Sequence, residues 1–529
     1  MRFLLINPYY PISETPSPPL GLAYLAAALE EAGVAVKILD FVVFPYSKKY
    51  LESELGDFLP DAVGVTAVTM SFDKAIRVVK DVKEINPEIL TVMGGPHVSF
   101  CAEETMTAYP ELDVVALGEG EKTIVDLAAE TDNGRNWGKM RGIVYRDGPR
   151  LFSTPTRESL MDVDSLPLPA RHLIPLGRYR ALGMPVSLTT SRGCPFKCIF
   201  CVGRKMVGPK VRYRNPQKVT DEFEYLAGLN FPQINIADDL FTANKEHCLS
   251  VCREIMRRGI ETEWASFARV DTVSRQVLMT MKESGCTTVS FGVESANPDI
   301  LKTIRKGITI EQVTAAVTLC TDVGITPHIS FILGLPGETP ETLEETTAFG
   351  ERLKEMGALY GFHLLAPFPG TEVREQSGKF GIKILTNDWS QYHANRAIVE
   401  TETANREMLD EIAIAWEEEY NEWLSYVALQ MEKDEATEEE AWQLVKLRHI
   451  VLIHELMMEK GIEINGYSEN GEGSVSEGEG IRGLVERLGR SADHSRKQLN
   501  ETLNYAAEQG YLRRVEEGRG GRWEWVDFL

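Results

Sequence analysis

The sequence predicts an α/β protein in three parts: a Rossmann-like doubly wound sheet, a partial (β/α)6 barrel of the TIM type, and a helical tail with a winged-helix-like end. Three observations carry that prediction. Short continuous apolar runs alternate with amphipathic stretches as far as about residue 400, the mark of parallel strands buried on both faces. The alternation breaks once, in a Pro- and Asp-rich stretch from Leu160 to Pro175, so it divides between two sheets. Beyond residue 400 the strand signals stop and acidic helix takes over. Length agrees, because 529 residues exceed what one core holds and suggest roughly three to four domains.

The first domain is expected over residues 1–135, with strands at Phe3–Ile6, Val36–Leu39, Ala62–Val65, Leu90–Met93 and Val114–Leu117. Ligands of such sheets bind beyond the carboxyl ends of the strands. Those ends carry Asn7-Pro8-Tyr9-Tyr10-Pro11, Asp40, Thr66 to Ser71, Gly94-Gly95-Pro96-His97 and Gly118-Glu119-Gly120-Glu121. Glycines at these points let a backbone approach a ligand closely. Residues 136–184 read as a linker. Over 185–400 the alternation resumes at Val186–Thr190, Ile234–Ala237, Glu263–Phe267, Thr288–Val293, His328–Leu333 and Gly361–Ala366. Six units are too few for a closed eight-stranded barrel, and chemistry in barrels gathers at the carboxyl ends of the strands.

The tail divides into acidic helices over 401–464 (Arg406–Lys433 and Thr437–Lys460), a Gly/Ser/Glu-rich loop over 465–480, and a helix–helix–hairpin module over 481–529. Thr437 and Glu440 have capping-box spacing. A formal charge of −23 argues against a chain dedicated to nucleic acid, and the nearly balanced last module favours packing or partner docking over DNA. No stretch approaches 18 consecutive apolar residues, and the amino-terminal run is too short for a signal-peptide core, so the expected compartment is the cytoplasm.

The chemistry concentrates in Ser191-Arg192-Gly193-Cys194-Pro195-Phe196-Lys197-Cys198-Ile199-Phe200-Cys201, directly after the first barrel strand. Three thiolates spaced C-x3-C-x2-C on one loop can converge on an iron–sulfur cluster. Structural zinc would want a fourth Cys or His nearby, and none is there. Three ligands leave one iron of a four-iron cluster open to substrate. Further polar residues follow at successive strand ends: Asp238-Asp239, Arg269, Glu294-Ser295, Ser330, Gly334 to Glu338, and Pro367 to Thr371. Singly, each carboxylate is more often a salt-bridge partner or helix cap. Lys306 reads as solvated, and Cys248 and Cys252, at i and i+4, read as core packing. Cys101, Cys286 and Cys320 stand alone, so a second cluster is not expected.

That loop resembles the signature of the radical S-adenosylmethionine (SAM) superfamily, and the likeness runs through the barrel. It implies a [4Fe-4S] cluster on Cys194, Cys198 and Cys201, whose open iron chelates SAM and whose electron cleaves it to a 5′-deoxyadenosyl radical. An external one-electron reductant is implied with it. Phe200 would lie near the adenine, Asp238 and Asp239 would suit the SAM ammonium, and Arg269 would fork its carboxylate. Glu294 would suit the ribose diol, and Ser330 completes the expected SAM set.

The domain order and the motifs Asn7-Pro8, Pro19-Leu20-Gly21, Gly94 to His97 and Gly118 to Glu121 resemble the cobalamin-dependent radical SAM enzymes. Radical methyltransferases and anaerobic magnesium-protoporphyrin ester cyclases belong to that group. The likeness covers residues 1 to about 400 and implies a cobalamin site built from Asn7, Tyr9, Thr66, Ser71, Gly94, Gly95, His97, Gly118 and Glu119. The D-x-H-x-x-G loop of many cobalamin proteins is missing, since Asn7 to Ile12 holds no His; His97 is expected at the nucleotide tail or as a helix cap.

The resemblance implies C-methylation of an unactivated carbon in a small-molecule, pigment, lipid or peptide substrate, yielding S-adenosylhomocysteine and 5′-deoxyadenosine. The rival readings are radical cyclisation or oxidation of a porphyrin-like or lipid substrate and, from another class, a cobalamin- or redox-sensing regulator. A methylthiotransferase is disfavoured, because those enzymes carry three more cysteines in their first domain and only Cys101 precedes the cluster loop here.

Overall fold

The computed structural model describes residues 1–9, 17–465, 480–491, 494–517 and 520–529. The first sheet has seven strands: β1 (Arg2–Asn7), β2 (Ala35–Asp40), β3 (Ala62–Thr66), β4 (Leu90–Gly94), β5 (Val114–Ala116), β6 (Ile143–Asp147) and β7 (Arg150–Ser153). Their spatial order is β2-β1-β3-β4-β5-β6-β7. The first five run parallel, as their continuous apolar character requires, while β6 and β7 form an antiparallel hairpin on β5. The stretch 136–184, expected as a linker, therefore adds two strands to the first sheet. Helices Leu20–Glu31 and Glu121–Asp132 cover one face, and Lys48–Phe58, Phe72–Ile85 and Ala102–Ala108 cover the other.

Next come β8 (Val186–Leu188), the two-residue ribbon β9 (Ser191–Arg192) and β10 (Arg212–Tyr213), then β11 (Ile234–Ile236), β12 (Trp264–Ala268), β13 (Cys286–Glu294), β14 (Thr326–Leu333) and β15 (Leu359–Leu364). Six of these form one parallel sheet in the order β15-β14-β13-β12-β11-β8, the open barrel expected from the sequence. Outward residues such as Phe331 pack on the surrounding helices, with its ring 6.3 Å from Phe349. A small ribbon follows, β16 (Lys383–Ile384) with β17 (Val399–Glu400). Helix Arg406–Glu432 then covers the free edge of β15, where Trp416 sits so close that a Cβ on Gly361 would lie 3.4 Å from its ring. Covering an edge strand removes a row of unpaired backbone groups.

The tail continues through helix Glu438–Met458, whose capping box between Thr437 and Glu440 is formed as expected, and Gly461–Asn465. Helices Ile481–Ser491 and Arg496–Glu508 lead to strands β18 (Leu512–Glu517) and β19 (Gly520–Trp525). Except for its two end residues, the expected 465–480 loop lies outside the described residues. The chain's end docks where the parts meet. Gly177 N–H donates to Asp527 O at 2.9 Å, and a Cβ at 177 would lie 1.7 Å from Val526 O, so only glycine fits. Buried Arg178 binds Val43 O (3.1 Å), Asp527 (2.6 Å) and Glu463 (2.5 Å) from three different parts of the chain. Tyr179 donates to Asp40 at 2.7 Å, tying the second half to the end of β2.

Candidate active site

The cysteine loop is rooted by one buried carboxylate. Asp238, just past β11, accepts four hydrogen bonds: from the N–H and hydroxyl of Thr190 (2.6 and 2.5 Å) and of Ser191 (3.0 and 2.7 Å). Burial pushes its acid strength down, and those four donors push back. His247 Nε2 lies 3.0 Å from the Thr190 hydroxyl, behind this turn. Asp239 accepts from Gly193 N–H at 3.2 Å. Gly193, at φ 117°, passes the far end of the loop so closely that a Cβ would lie 2.4 Å from Lys210 O. The ribbon of β9 and β10 closes the loop's neck.

Within the loop, Cys201 Sγ accepts from Gly203 N–H at 3.3 Å, and Cys198 Sγ stands 3.8 Å from Arg305 O. Burial raises the Cys198 thiol, opposed by the positive charges of Lys306 and Arg269. No three His, Cys, Asp or Glu side chains among the described residues meet at the point a single metal ion would need. Zinc–sulfur bonds of about 2.3 Å would hold thiolates within roughly 4 Å of one another. A four-iron cubane takes each thiolate on a different iron, so three thiols on one loop beside the cations Arg269 and Lys306 fit a cluster.

The expected SAM-binding residues arrive at the barrel mouth already engaged with one another. Arg269 is buried, forks Asp271 (2.9 and 3.0 Å), and lies 3.7 Å over the ring of Phe196. Glu294 ends β13 at a register shift with φ 75°, a left-handed conformation that costs a residue with a side chain. Its carboxylate accepts from Lys306 Nζ at 2.6 Å. Lys306, read from sequence as solvated, is buried: an ammonium there needs a partner, and Glu294 supplies it. Lys306 also stands 5.9 Å over the ring of Phe200. Ser330 is half-buried on the lumen side of β14, opposite to Phe331. The structure thus gathers Phe200, Arg269 and Glu294 around the loop, and Asp239 beside it. It gives Asp238 to the loop's own backbone.

The first sheet offers space where the barrel offers charge. A cavity of about 300 Å³ opens at the carboxyl ends of its strands, lined by Thr66, Gly94, Gly95, Gly118 and Glu119 together with apolar Leu22 and Leu25. Arg192, Met206 and Val207 of the cysteine-loop region close its far side. Gly95, at φ 106°, lies against β3's end, where a Cβ would be 2.6 Å from Ala67 O. At Gly94 the nearest atoms are 3.9 Å from a Cβ, so any side chain there would project into the cavity. This apolar, glycine-floored slot fits part of a large planar cofactor, which a floor with side chains would exclude.

Asn7, Tyr9, Ser71 and His97, also expected at cobalamin, do not line this cavity. Asn7 is buried and donates to Asp40 at 2.9 Å; burial raises that carboxyl to about 6. Tyr9 lines a separate recess with Tyr46 and Arg77, and Tyr10 to Ile12 fall outside the described residues. Ser71 bonds Val68 O within its own turn at 3.2 Å. His97 is packed between Phe72 (4.1 Å) and Trp389 (4.9 Å), with Nδ1 3.2 Å from Thr69 Oγ1. Glu119 lines the cavity but is claimed by Arg212, at 2.9 Å to each carboxylate oxygen. The sequence did not point to Arg212, His247 or Trp389, and it suggested a solvated Lys306 where the side chain is buried. Arg212 had a visible signal, since a basic residue beside the cysteine motif and an acidic strand-end motif are natural partners.

Comparison with known proteins identifies two domains in the same order. Residues 13–128 match the B12 binding domain, and residues 188–350 match the Radical SAM superfamily. An uncharacterized methyltransferase of Pyrococcus horikoshii is 37% identical over 72% of this chain and 82% of its own length. The anaerobic magnesium-protoporphyrin IX monomethyl ester cyclase of Rubrivivax gelatinosus is 30% identical, over 78% of this chain and 76% of its own. Among solved structures, the cobalamin-dependent SAM radical enzyme OxsB, with aqua-cobalamin and SAM bound, superposes with a TM-score of 0.68 at 18% identity, covering 98% of this chain and 82% of that one. The chain belongs to the radical SAM enzymes that carry a B12-binding domain. Its cofactors are accordingly a [4Fe-4S] cluster, SAM and cobalamin. Among the described residues no helix is long and apolar enough to cross a membrane.

Proposed function

We propose that the chain methylates an unactivated carbon of a small-molecule, pigment, lipid or peptide substrate in the cytoplasm. One observation carries the reading: the glycine-floored cavity of the first sheet is closed by Arg192, Met206 and Val207, so the cobalamin and cluster sites adjoin. Cys194, Cys198 and Cys201 would hold the cluster, Phe200, Asp239, Arg269, Glu294 and Ser330 would bind SAM, and Thr66, Gly94, Gly95, Gly118 and Glu119 would border cobalamin. Tyr9, in its separate recess, would reach its periphery, whereas His97, packed under Trp389, is left out of the proposed site. When bound, these groups supply a methyl donor, a methyl carrier and a radical source.

The protein's part is placement. Asp238 holds the root of the cysteine loop, so the three thiolates keep one geometry. Arg269 exchanges its fork with Asp271 for a ligand carboxylate, the same planar recognition. Glu294 accepts from a ribose hydroxyl with the oxygen that Lys306 leaves open. The apolar slot keeps water from the interval between the two sites.

The test is anaerobic reconstitution with iron, sulfide, cobalamin and SAM, followed by product analysis. Equal amounts of S-adenosylhomocysteine and 5′-deoxyadenosine are expected. 5′-Deoxyadenosine alone overturns methyl transfer and favours radical cyclisation or oxidation, the second reading, which the likeness to the ester cyclase supports.

A further inference from the structure

The chain's charge is −23, yet from Ser191 to Thr220 it has eight basic residues and no acidic one. Three of the eight turn inward and are consumed: Arg192 by Glu121 (2.7 Å), Arg212 by Glu119, and Arg214 by Glu222 (2.7 Å). Others stay outside. Lys197, between two of the cysteines, is exposed and has no ion-pair partner among the described residues. Lys205, also exposed, reaches Gly370 O at 2.6 Å. A second segment adds to the same surface, because Ile199 N–H donates to Ile304 O at 3.2 Å and Cys198 Sγ lies 3.8 Å from Arg305 O. That segment carries exposed Lys302, unpaired among the described residues, and Arg305, which pairs with Glu372 at 2.7 Å. Glu372 feels Arg305 first, then Lys379 and Lys205. Arg305, Lys379 and Lys205 therefore act on one carboxylate on the outer side of the cysteine loop, and exposed Lys197 and Lys302 lie on the two adjoining segments.

We infer that this patch, Lys197, Lys205, Lys302, Arg305 and Lys379, is the docking surface for an acidic one-electron carrier protein, which it places against the Cys198 side of the cluster. The inference rests on the cluster assignment proposed above. Charge complementarity selects the occupant. A chain of net charge −23 repels an acidic carrier on the whole, and here a local reversal of sign coincides with the loop that must receive the electron. The step is a bare transfer: the carrier loses one electron, the cluster gains it, and no bond or proton moves. Much of the inner basic charge is neutralised within the fold, whereas the outer patch keeps its charge for a partner.

The experiment measures binding of a flavodoxin, an acidic carrier, to the reconstituted enzyme and to the double variant Lys302→Glu/Lys379→Glu. Among the described residues neither side chain has a hydrogen bond or ion pair to the cysteine loop, so cluster loading is expected to be retained. Affinity should fall about tenfold or more in the double variant, and similarly on raising salt from about 50 to about 500 mM. The remote reversal Lys139→Glu should change it less than about twofold, because charges beyond a Debye length are screened. Cluster reduction by dithionite, followed by its electronic spectrum, should be equal in all three proteins, while reduction by the carrier should slow only in the double variant. Equal carrier affinity in wild type and double variant overturns the inference. So does a patch that binds a short RNA in its place, with the same salt and variant dependence. If no cluster can be loaded at all, the proposed function fails; carrier binding, which needs no cluster, still decides the docking surface.

Discussion

The two parallel sheets build their carboxyl ends from opposite materials. In the first, β3, β4 and β5 end on small residues, and a cavity stands where side chains would be. In the barrel, the strands end on charged groups that are already engaged: Asp238 by the N–H and hydroxyl groups of Thr190 and Ser191, Arg269 by Asp271, Glu294 by Lys306. The contrast teaches what each sheet is made to bind. A large, mostly apolar cofactor needs room and close backbone approach, and its recognition is spread over shape. A small zwitterion needs charges in fixed positions, and buried charges survive only in pairs until the ligand takes a partner's place. Substitutions should therefore act by charge loss in one sheet and by filling in the other.

The largest effect belongs to the root of the cysteine loop. Asp238→Ala strips four donors of their acceptor in a buried turn and should cost about 3 kcal/mol or more of stability. Iron content and 5′-deoxyadenosine formation should then fall together, as they should in Cys194→Ala, Cys198→Ala or Cys201→Ala. Iron retained by Asp238→Ala at the wild-type level would show that the loop does not depend on this carboxylate. Next comes the buried pair. Lys306→Met alone leaves Glu294 uncompensated and should cost about 3 kcal/mol in a denaturant titration, whereas adding Glu294→Gln should recover much of that loss. SAM binding should not recover with it, which separates the pair's structural part from its part in the ligand site.

In the first sheet the expected effect is selective. Gly94→Leu projects a side chain into the cavity without meeting backbone, so the fold should tolerate it. Cobalamin affinity should drop about tenfold or more while cleavage of SAM to 5′-deoxyadenosine persists. Loss of both together would mean that the cavity supports the barrel instead of holding the cofactor.

How far the sequence showed this varies with the kind of signal. Both parallel sheets were legible because a strand buried on two faces is an unbroken apolar run, and the cysteine spacing was legible because its ligands are local. The β6–β7 hairpin was lost in an expected linker, although Asp147-Gly148 between two short apolar segments is a hairpin signal; its strands are half-exposed and lack the apolar run used for the others. Pairing of Glu294 with Lys306 across 12 residues left no periodic trace. Neither did the choice, made only by three-dimensional packing, of which strand-end residues face the cavity.

His97 shows that last point and gives the smallest prediction. It ends a strand motif shared with ligand-binding positions, yet Trp389, far along the chain, packs against it, and the residue is 1% exposed. Burial, then the nearby Arg374 charge, lowers its pKa to about 4, so the folded protein holds it neutral. An unfolded histidine titrates near 6.5. Above pH 6.5 both states are neutral and stability does not depend on this group. As pH falls through the window from 6.5 to 4, the unfolded state takes up the proton first and stability is lost, by about 2 kcal/mol between pH 7 and pH 5. His97→Phe, which keeps an aromatic ring against Phe72 and Trp389, should lose that slope in urea titrations at the two pH values. A slope unchanged by the substitution would move the proton uptake to another group, such as His247, whose pKa burial also lowers to about 4 beside the barrel's cysteine loop.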